Sequence, residues 1–449
     1  MKRFPSVLLL VLLAVLSLSA HGQVTFARLV NSSKEPQNWL TYSGDYSGQR
    51  FSALDQINTA NVRALVPKWV YQTVATGKFE STPLVVDGVL YGTGTDNRAF
   101  ALDARTGRPI WLYQRQLPAD IRPCCGRVNR GLAILGDKVF MGTLDAHVIA
   151  FDTKTGNIIW DVSAVDYKGG YSFTAAPLVV KNLVILGVSG GEYGIRGFVD
   201  AYDADSGKLN WHFQFTKHDE HDWDSTQVPV LLDLGDKRWI AQANRNGFFY
   251  VVDRRTGKLV LVNPFGKVTW SDGKDAEGRP VANSQSKPTP EGKQVCPGAA
   301  GTTNWESPTF DPQTNLFYVT AREQCDMFST APQPYEAGHA YYGSAYFPSD
   351  SSEPFWGALR AIDPASGQIK WEFRHASPSW AGALSTAGGL VFTGDSEGNF
   401  IALDAATGKA LWHFQTGAAI YAAPIAFALD GKEYLAIAAG SALYTFTLP

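Results

Sequence analysis

The sequence predicts an all-β fold: a β-propeller of seven blades, built on one recurring hairpin. Three observations carry this. A turn recurs in which an Asp is followed three positions later by Thr or Ser, then by Gly, and eight positions later by an aromatic residue. Its copies lie 49, 51, 50, 110 and 41 residues apart, and a period near 50 with four strands per unit is the mark of a propeller blade. The chain holds 43 Gly and 13 Trp in 449 residues, as many short strands joined by tight turns require.

The turns come in order as ALDARTGRPIW (Asp103), AFDTKTGNIIW (Asp152), AYDADSGKLNW (Asp203), VVDRRTGKLVL (Asp253), AIDPASGQIKW (Asp363) and ALDAATGKALW (Asp404). The copy at Asp253 has Leu261 where the others have Trp. Each reads as a hairpin. Alternating apolar residues lead into the Asp, whose carboxylate can accept backbone N–H groups of the turn. The Gly takes the positive φ of a bulged turn, and the Trp packs on a neighbouring unit. Tandem β-sandwiches would not fix a Trp at one turn offset. The longest gap is expected to hold roughly two units, one of them degenerate around PTFDPQTNLFYV (Asp311). The stretch 264–303, polar and rich in Gly, Pro and Lys, reads as a loop insertion. Six turns, plus a blade joining Trp69 in VPKWVYQ to the last strands near Tyr434 and Leu448, make seven.

At the N-terminus, Lys2 and Arg3 precede an apolar run from Val7 to Leu16, with Ala20 and Gly22 beyond it. This reads as an export signal over residues 1–22, leaving 23–449 as the propeller domain. No Cys follows the apolar run to carry a lipid, and no later segment is apolar for long enough to span a bilayer. The expected location is the periplasm, where disulfides persist. Net charge is −3, and no basic patch argues for nucleic acid. The four cysteines suit two bridges, Cys124–Cys125 and Cys296–Cys325, although spacing does not prove the pairing. Adjacent Cα atoms are about 3.8 Å apart, closer than a disulfide favours. The Cys124–Cys125 pair is therefore either reduced and inert or a tight ring with a purpose.

Several segments resemble the PQQ (pyrroloquinoline quinone) dehydrogenases, specifically their methanol and ethanol dehydrogenase branch. The recurring turn is similar to that family's tryptophan-docking motif. CCGRVNRG is similar to that branch's vicinal-disulfide segment and GVSGGEYGIRGFVDAYD to its metal-and-quinone segment; HFQFTKHDEHDWDSTQVPV, QANRNGFFYVVDR, AAGTTNWESP and SWAGALSTAGGLVFTGDSEG resemble further segments of it. The resemblance implies a vicinal disulfide of Cys124 and Cys125 stacked on the quinone. It implies Glu80 and Arg130 near quinone carboxylates, and Thr174, Ser189, Gly190 and Gly191 along its edge. Arg245 would lie beside the reactive carbonyls, and Asn304 and Trp380 would complete the cradle. Glu192 would ligate Ca²⁺ or a lanthanide. The implied activity is oxidation of a small alcohol, with a periplasmic cytochrome c as electron acceptor; no CxxCH motif provides an attached haem. The HDEHDWD run (218–224) offers two His and several carboxylates, a composition that also suits zinc, but reads as a hydrogen-bonded loop outside the quinone site.

One departure stands out. In the family, two turn motifs separated by a long blade lie between the Glu192 segment and the HFQFT segment; here the Asp203 turn serves for both. The resemblance thus implies seven blades against the family's eight. The absent blade would carry the second quinone-stacking Trp, an Asn metal ligand and the catalytic Asp. The catalytic base is accordingly unassigned; Glu192, Asp222 and Asp224 are the candidate substitutes, with nothing in the sequence to position them. The competing reading is a non-catalytic propeller, a cofactor-binding pseudoenzyme or a scaffold.

Overall fold

The computed structural model describes residues 23–74, 77–195, 199–200, 220–348 and 355–449. The expected export signal, the Asp203 turn and residues 218–219 of HDEHDWD lie outside them. The described chain is almost entirely β. Antiparallel sheets follow one another along it: Leu84–Gln114, Ala133–Ser163, Leu178–Asp200, Val230–Pro264, Thr309–His375 and Leu384–Gln415. A last sheet pairs Val66–Gln72 with Ala442–Thr447, outside Lys432–Ala439 and Ile425–Leu429. The ends of the chain therefore close the ring of a β-propeller, as the position of Trp69 implied.

The hairpin chemistry is visible in the first sheet. The Asp103 carboxylate accepts the backbone N–H groups of Arg105 and Thr106 at 2.9 and 3.0 Å, and the Thr106 hydroxyl at 3.0 Å. Gly107 sits at φ +71°, and a Cβ there would lie 2.6 Å from the Trp69 ring. Glycine is needed on both counts. The indole N–H of Trp69 donates to Ala104 O at 3.0 Å, so the Trp of one sheet seals the turn of the next. Trp111 repeats this on Gly156 and Thr153, and Trp371 on Gly408 and Ala405. Where Trp is replaced, the Leu261 side chain packs on Gly367 and the Asn263 side-chain amide donates to Ser366 O at 2.9 Å.

Two expectations are corrected. The Asp311 turn is not a separate unit. It joins Thr309–Asp311 to Leu316–Glu323 within the same sheet whose outer hairpin turns at Asp363. The gap is long because of insertions, and the stretch 264–303 is more than a loop. Ser271–Lys274 pairs with Pro280–Ala282, and Lys293–Val295 joins a small sheet with Asp326–Thr330 and Ser344–Pro348. The expected Cys296–Cys325 disulfide ties these pieces together.

An N-terminal strap crosses the sheets. Trp39 and Val85 exchange backbone hydrogen bonds, Ser47 O accepts Leu231 N at 2.7 Å, and Gln49 O accepts Phe310 N at 2.9 Å. Phe51–Ser52 adds a parallel strand beside Ser385 and Thr386. Arg50, fully buried, donates to the carbonyls of Tyr42, Ala383 and Pro424.

Candidate active site

Inner strands and the loops that enter them converge on one cavity of about 900 Å³. All twelve residues implied by the resemblance line it: Glu80, Cys124, Cys125, Arg130, Thr174, Ser189, Gly190, Gly191, Glu192, Arg245, Asn304 and Trp380. They span three hundred positions of sequence yet share one wall because the loops and turns at the strand ends of successive sheets converge there.

A polar chain runs along that wall. Arg130 lies 3.0 Å from the carboxylate of Glu80 and donates to Thr174 Oγ1 at 3.0 Å; Thr174 is 2.8 Å from Ser189 Oγ. Burial pushes the Glu80 carboxyl above its usual range, opposed by Arg130 and Lys78. The Arg130 guanidinium also lies 4.6 Å from the Trp305 ring centroid. Asn304 is held by its side-chain amide, which donates to Ala300 O at 3.0 Å. Trp380 lies between two cations, Arg322 at 3.8 Å and Lys78 at 5.8 Å from its centroid.

The two glycines differ. A Cβ at Gly190 would lie 2.2 Å from Gly170 O, and its φ is +131°, so packing alone demands glycine. A Cβ at Gly191 meets nothing within 4 Å, leaving open space on the cavity wall.

Cys124 and Cys125 are both free thiols, so the expected bridge between them is not formed. Adjacent Cα atoms are closer than a disulfide favours, so a bridge between them would be strained. The Cys124 thiol, hydrogen-bonded to Cys125 and buried, is pushed up, while Cys125, receiving that bond, is held below the usual thiol range. The Sγ atoms and a Glu192 carboxylate oxygen lie within 4.8 Å of one another.

The HDEHDWD run is not outside the site. From 221 to 224, burial alternates. His221 and Trp223 face inward, with His221 Nε2 2.8 Å from Ser286 O and the Trp223 indole N–H donating to Gly298 O at 3.1 Å. Asp222 and Asp224 line the cavity and face Arg245, at 2.8 and 3.4 Å. The structural part of the expectation holds for His221 and Trp223, but the carboxylates belong to the site. Asp222 and Asp224, which the sequence offered as substitute bases without positioning them, are placed here by the fold, whereas Lys78 and Trp305 were not among the sequence-derived candidates. Their signal was adjacency: Lys78 is two before Glu80 on an alternating segment, and Trp305 follows Asn304.

The fold and this cavity define a β-propeller protein whose ligand site is shared among its sheets. The chain belongs to the PQQ dehydrogenases: the sequence model of the glucose/ethanol/alcohol dehydrogenase β-propeller domain matches residues 39–211, 198–285 and 345–435. It is 32% identical to quinoprotein alcohol dehydrogenase PedH of Pseudomonas putida over 94% of this chain and 89% of that protein. It is 34% identical to the quinoprotein ethanol dehydrogenase of Pseudomonas aeruginosa over 93% and 88%. Its fold superimposes on a europium-containing methanol dehydrogenase with a TM-score of 0.89 at 28% identity, covering 94% of this chain and all of that one.

The residues present fit a planar, carboxylate-bearing quinone. Lys78, Arg130 and Arg245 supply cationic donors, and one buried polar atom of the wall, Arg130 Nε, lacks a hydrogen-bond partner. The open face at Gly191 leaves room for a flat ring. A hard cation is served less well. Among the described residues the clustered donors are one carboxylate and two thiols, whereas Ca²⁺ takes six to eight oxygens.

Proposed function

We propose that this protein binds PQQ in the cavity and oxidises a primary alcohol, as an exported oxidoreductase of the periplasm. The observation that carries this is the convergence of all twelve implied residues on one cavity. The bound quinone supplies the electron acceptor for the hydride of the alcohol carbon. The chain's own residues do the rest. Arg130 and Lys78 draw the quinone's carboxylates, Arg245 presents its fork to an electron-rich oxygen, and Trp305 and Trp380 limit water at the wall. Glu192, clustered with the two thiols, would offer a cation a single carboxylate. The electron acceptor downstream is a soluble cytochrome c.

The ring lacks the family's blade with the catalytic Asp. Two facts support this. The family match uses residues 198–211 twice, once at the end of one segment and once at the start of the next. The match to PedH spans 530 positions with 94% of a 449-residue chain, so on the order of a hundred positions of that relative have no counterpart here. The same observation favours a second reading, a propeller that holds quinone without turnover.

Titration of the purified protein with PQQ and Ca²⁺, followed by dye reduction on ethanol, separates them. Tight binding with turnover supports the enzyme, binding without turnover the second reading. Absence of binding overturns both.

A further inference from the structure

We propose that Asp222 is the general base of this site, taking the hydroxyl proton of the alcohol. The inference rests on the functional reading above and adds the residue that reading lacks.

Geometry points to Asp222. Its neighbours His221 and Trp223 are 6% and 2% exposed and stacked on each other at 4.4 Å. Each is anchored to a carbonyl of the insertion, Ser286 O and Gly298 O. Between these anchors the backbone turns left-handed, with Asp222 at φ +63°. A non-glycine residue adopts that conformation at a cost and is often held there at functional sites. The result aims the carboxylate into the cavity rather than along the loop. Arg245 Nη2 donates to it at 2.8 Å, while Arg245 is itself fixed on Ala299 O. A carboxylate pinned beside a guanidinium fits an alcohol: its oxygen can take the O–H proton while the fork draws the oxygen of an electron acceptor alongside.

The surroundings suit a proton acceptor. Burial lifts the Asp222 carboxyl to about 6, against the pull of Arg245. The charged and titratable groups facing it are Arg245, Asp224, Glu192, Tyr342 and Tyr346; the two carboxylates add to the lift. A base whose proton affinity lies near working pH is the efficient one. The other candidates are less well placed. Asp224 is 65% exposed and 3.4 Å from Arg245, against 47% and 2.8 Å for Asp222, and Glu192 belongs to the cluster with the cysteines.

The step balances. The O–H bond breaks and its proton goes to Asp222. The carbinol C–H bond breaks and its hydride, with both electrons, goes to the quinone acceptor. The carbon–oxygen bond becomes double. Asp222 then returns its proton to water.

The test compares the full chain with Asp222→Asn and Asp222→Glu. Three quantities are read: PQQ affinity by fluorescence quenching, kcat and KM for ethanol across pH 5 to 9, and the carboxyl infrared band of the cofactor-free protein. Asp222→Asn is expected to bind PQQ as the parent does and to lose kcat by about 10²–10⁴-fold. Asp222→Glu should recover part of it. The parent's rate should fall below pH about 6, and the Asn variant should lack a carboxyl band titrating there. An Asn variant that turns over like a PQQ-binding parent overturns the assignment alone. So does an Asp222 band with the ordinary midpoint near 4. A parent that binds PQQ without turnover also overturns it, in favour of the quinone-holding propeller. A parent that binds no PQQ overturns the functional reading with it.

Discussion

The two sides of the ring are held by different means. From 84 to 163 the sheets are sealed to one another by repeated local chemistry, with Trp69 on Gly107 and Trp111 on Gly156, each indole donating to a carbonyl of the next turn. Around the Leu178–Val180 edge and the Val230–Leu234 edge, the strap supplies the joining contacts. Tyr46 donates its hydroxyl to Val179 O, and Leu231 N donates to Ser47 O at 2.7 Å. The docked side shows how a repeat makes its own stability. The strapped side contributes Thr174, Ser189 and Asp222 to the cavity wall, beside Glu80, Cys124, Cys125 and Arg130 from the docked side.

The largest effect should come from breaking the docked side. Trp111→Ala removes a 7% exposed ring and its hydrogen bond to Thr153 O. It should cost about 3–5 kcal/mol in urea unfolding; a cost of ~1 kcal/mol or less would mean docking is ornamental. Next is Arg130→Met on the site wall, which leaves Glu80, 3% exposed, without its cation. On the order of 3 kcal/mol should be lost at pH 8. The loss should be smaller at pH 5, because burial raises the proton affinity of this carboxyl and a proton removes the unpaired charge. An identical loss at both values would show that Glu80 is neutral throughout.

The closing blade gives a smaller effect of opposite sign. Burial lifts Glu433 to about 7, although Ile57 N donates to it at 2.8 Å. The folded chain therefore holds a proton that the unfolded chain has released, from the ordinary glutamate value up to about 7, and stability falls as pH rises through that window. Glu433→Gln should abolish the fall and raise stability at pH 8 by on the order of 1–3 kcal/mol; parallel thermal-unfolding curves from pH 4 to 8 would contradict it. The smallest effect belongs to the strap: Tyr46→Phe should lower stability by about 1 kcal/mol. It should also speed hydrogen exchange in 178–180 more than in 133–135, which remains docked by Trp111. Equal protection in both would erase the contrast between the two sides.

The sequence by itself determined the repeated hairpin, the closure by both chain ends and, through the family resemblance, the twelve residues of the cavity wall; the Cys296–Cys325 pairing it only suggested. Those follow from local rules, in which strand alternation and a turn's need for Asp and Gly act over ten residues, or from motifs that travel as units. Tertiary structure alone decided that the Asp311 turn belongs to the Asp363 sheet, that Cys124 and Cys125 stand as separate thiols, and that Asp222 enters the cavity. Each depends on partners far along the chain. Asp222 faces inward because His221 and Trp223 are anchored to an insertion some 65 to 75 residues later, and no spacing within HDEHDWD encodes where that insertion folds.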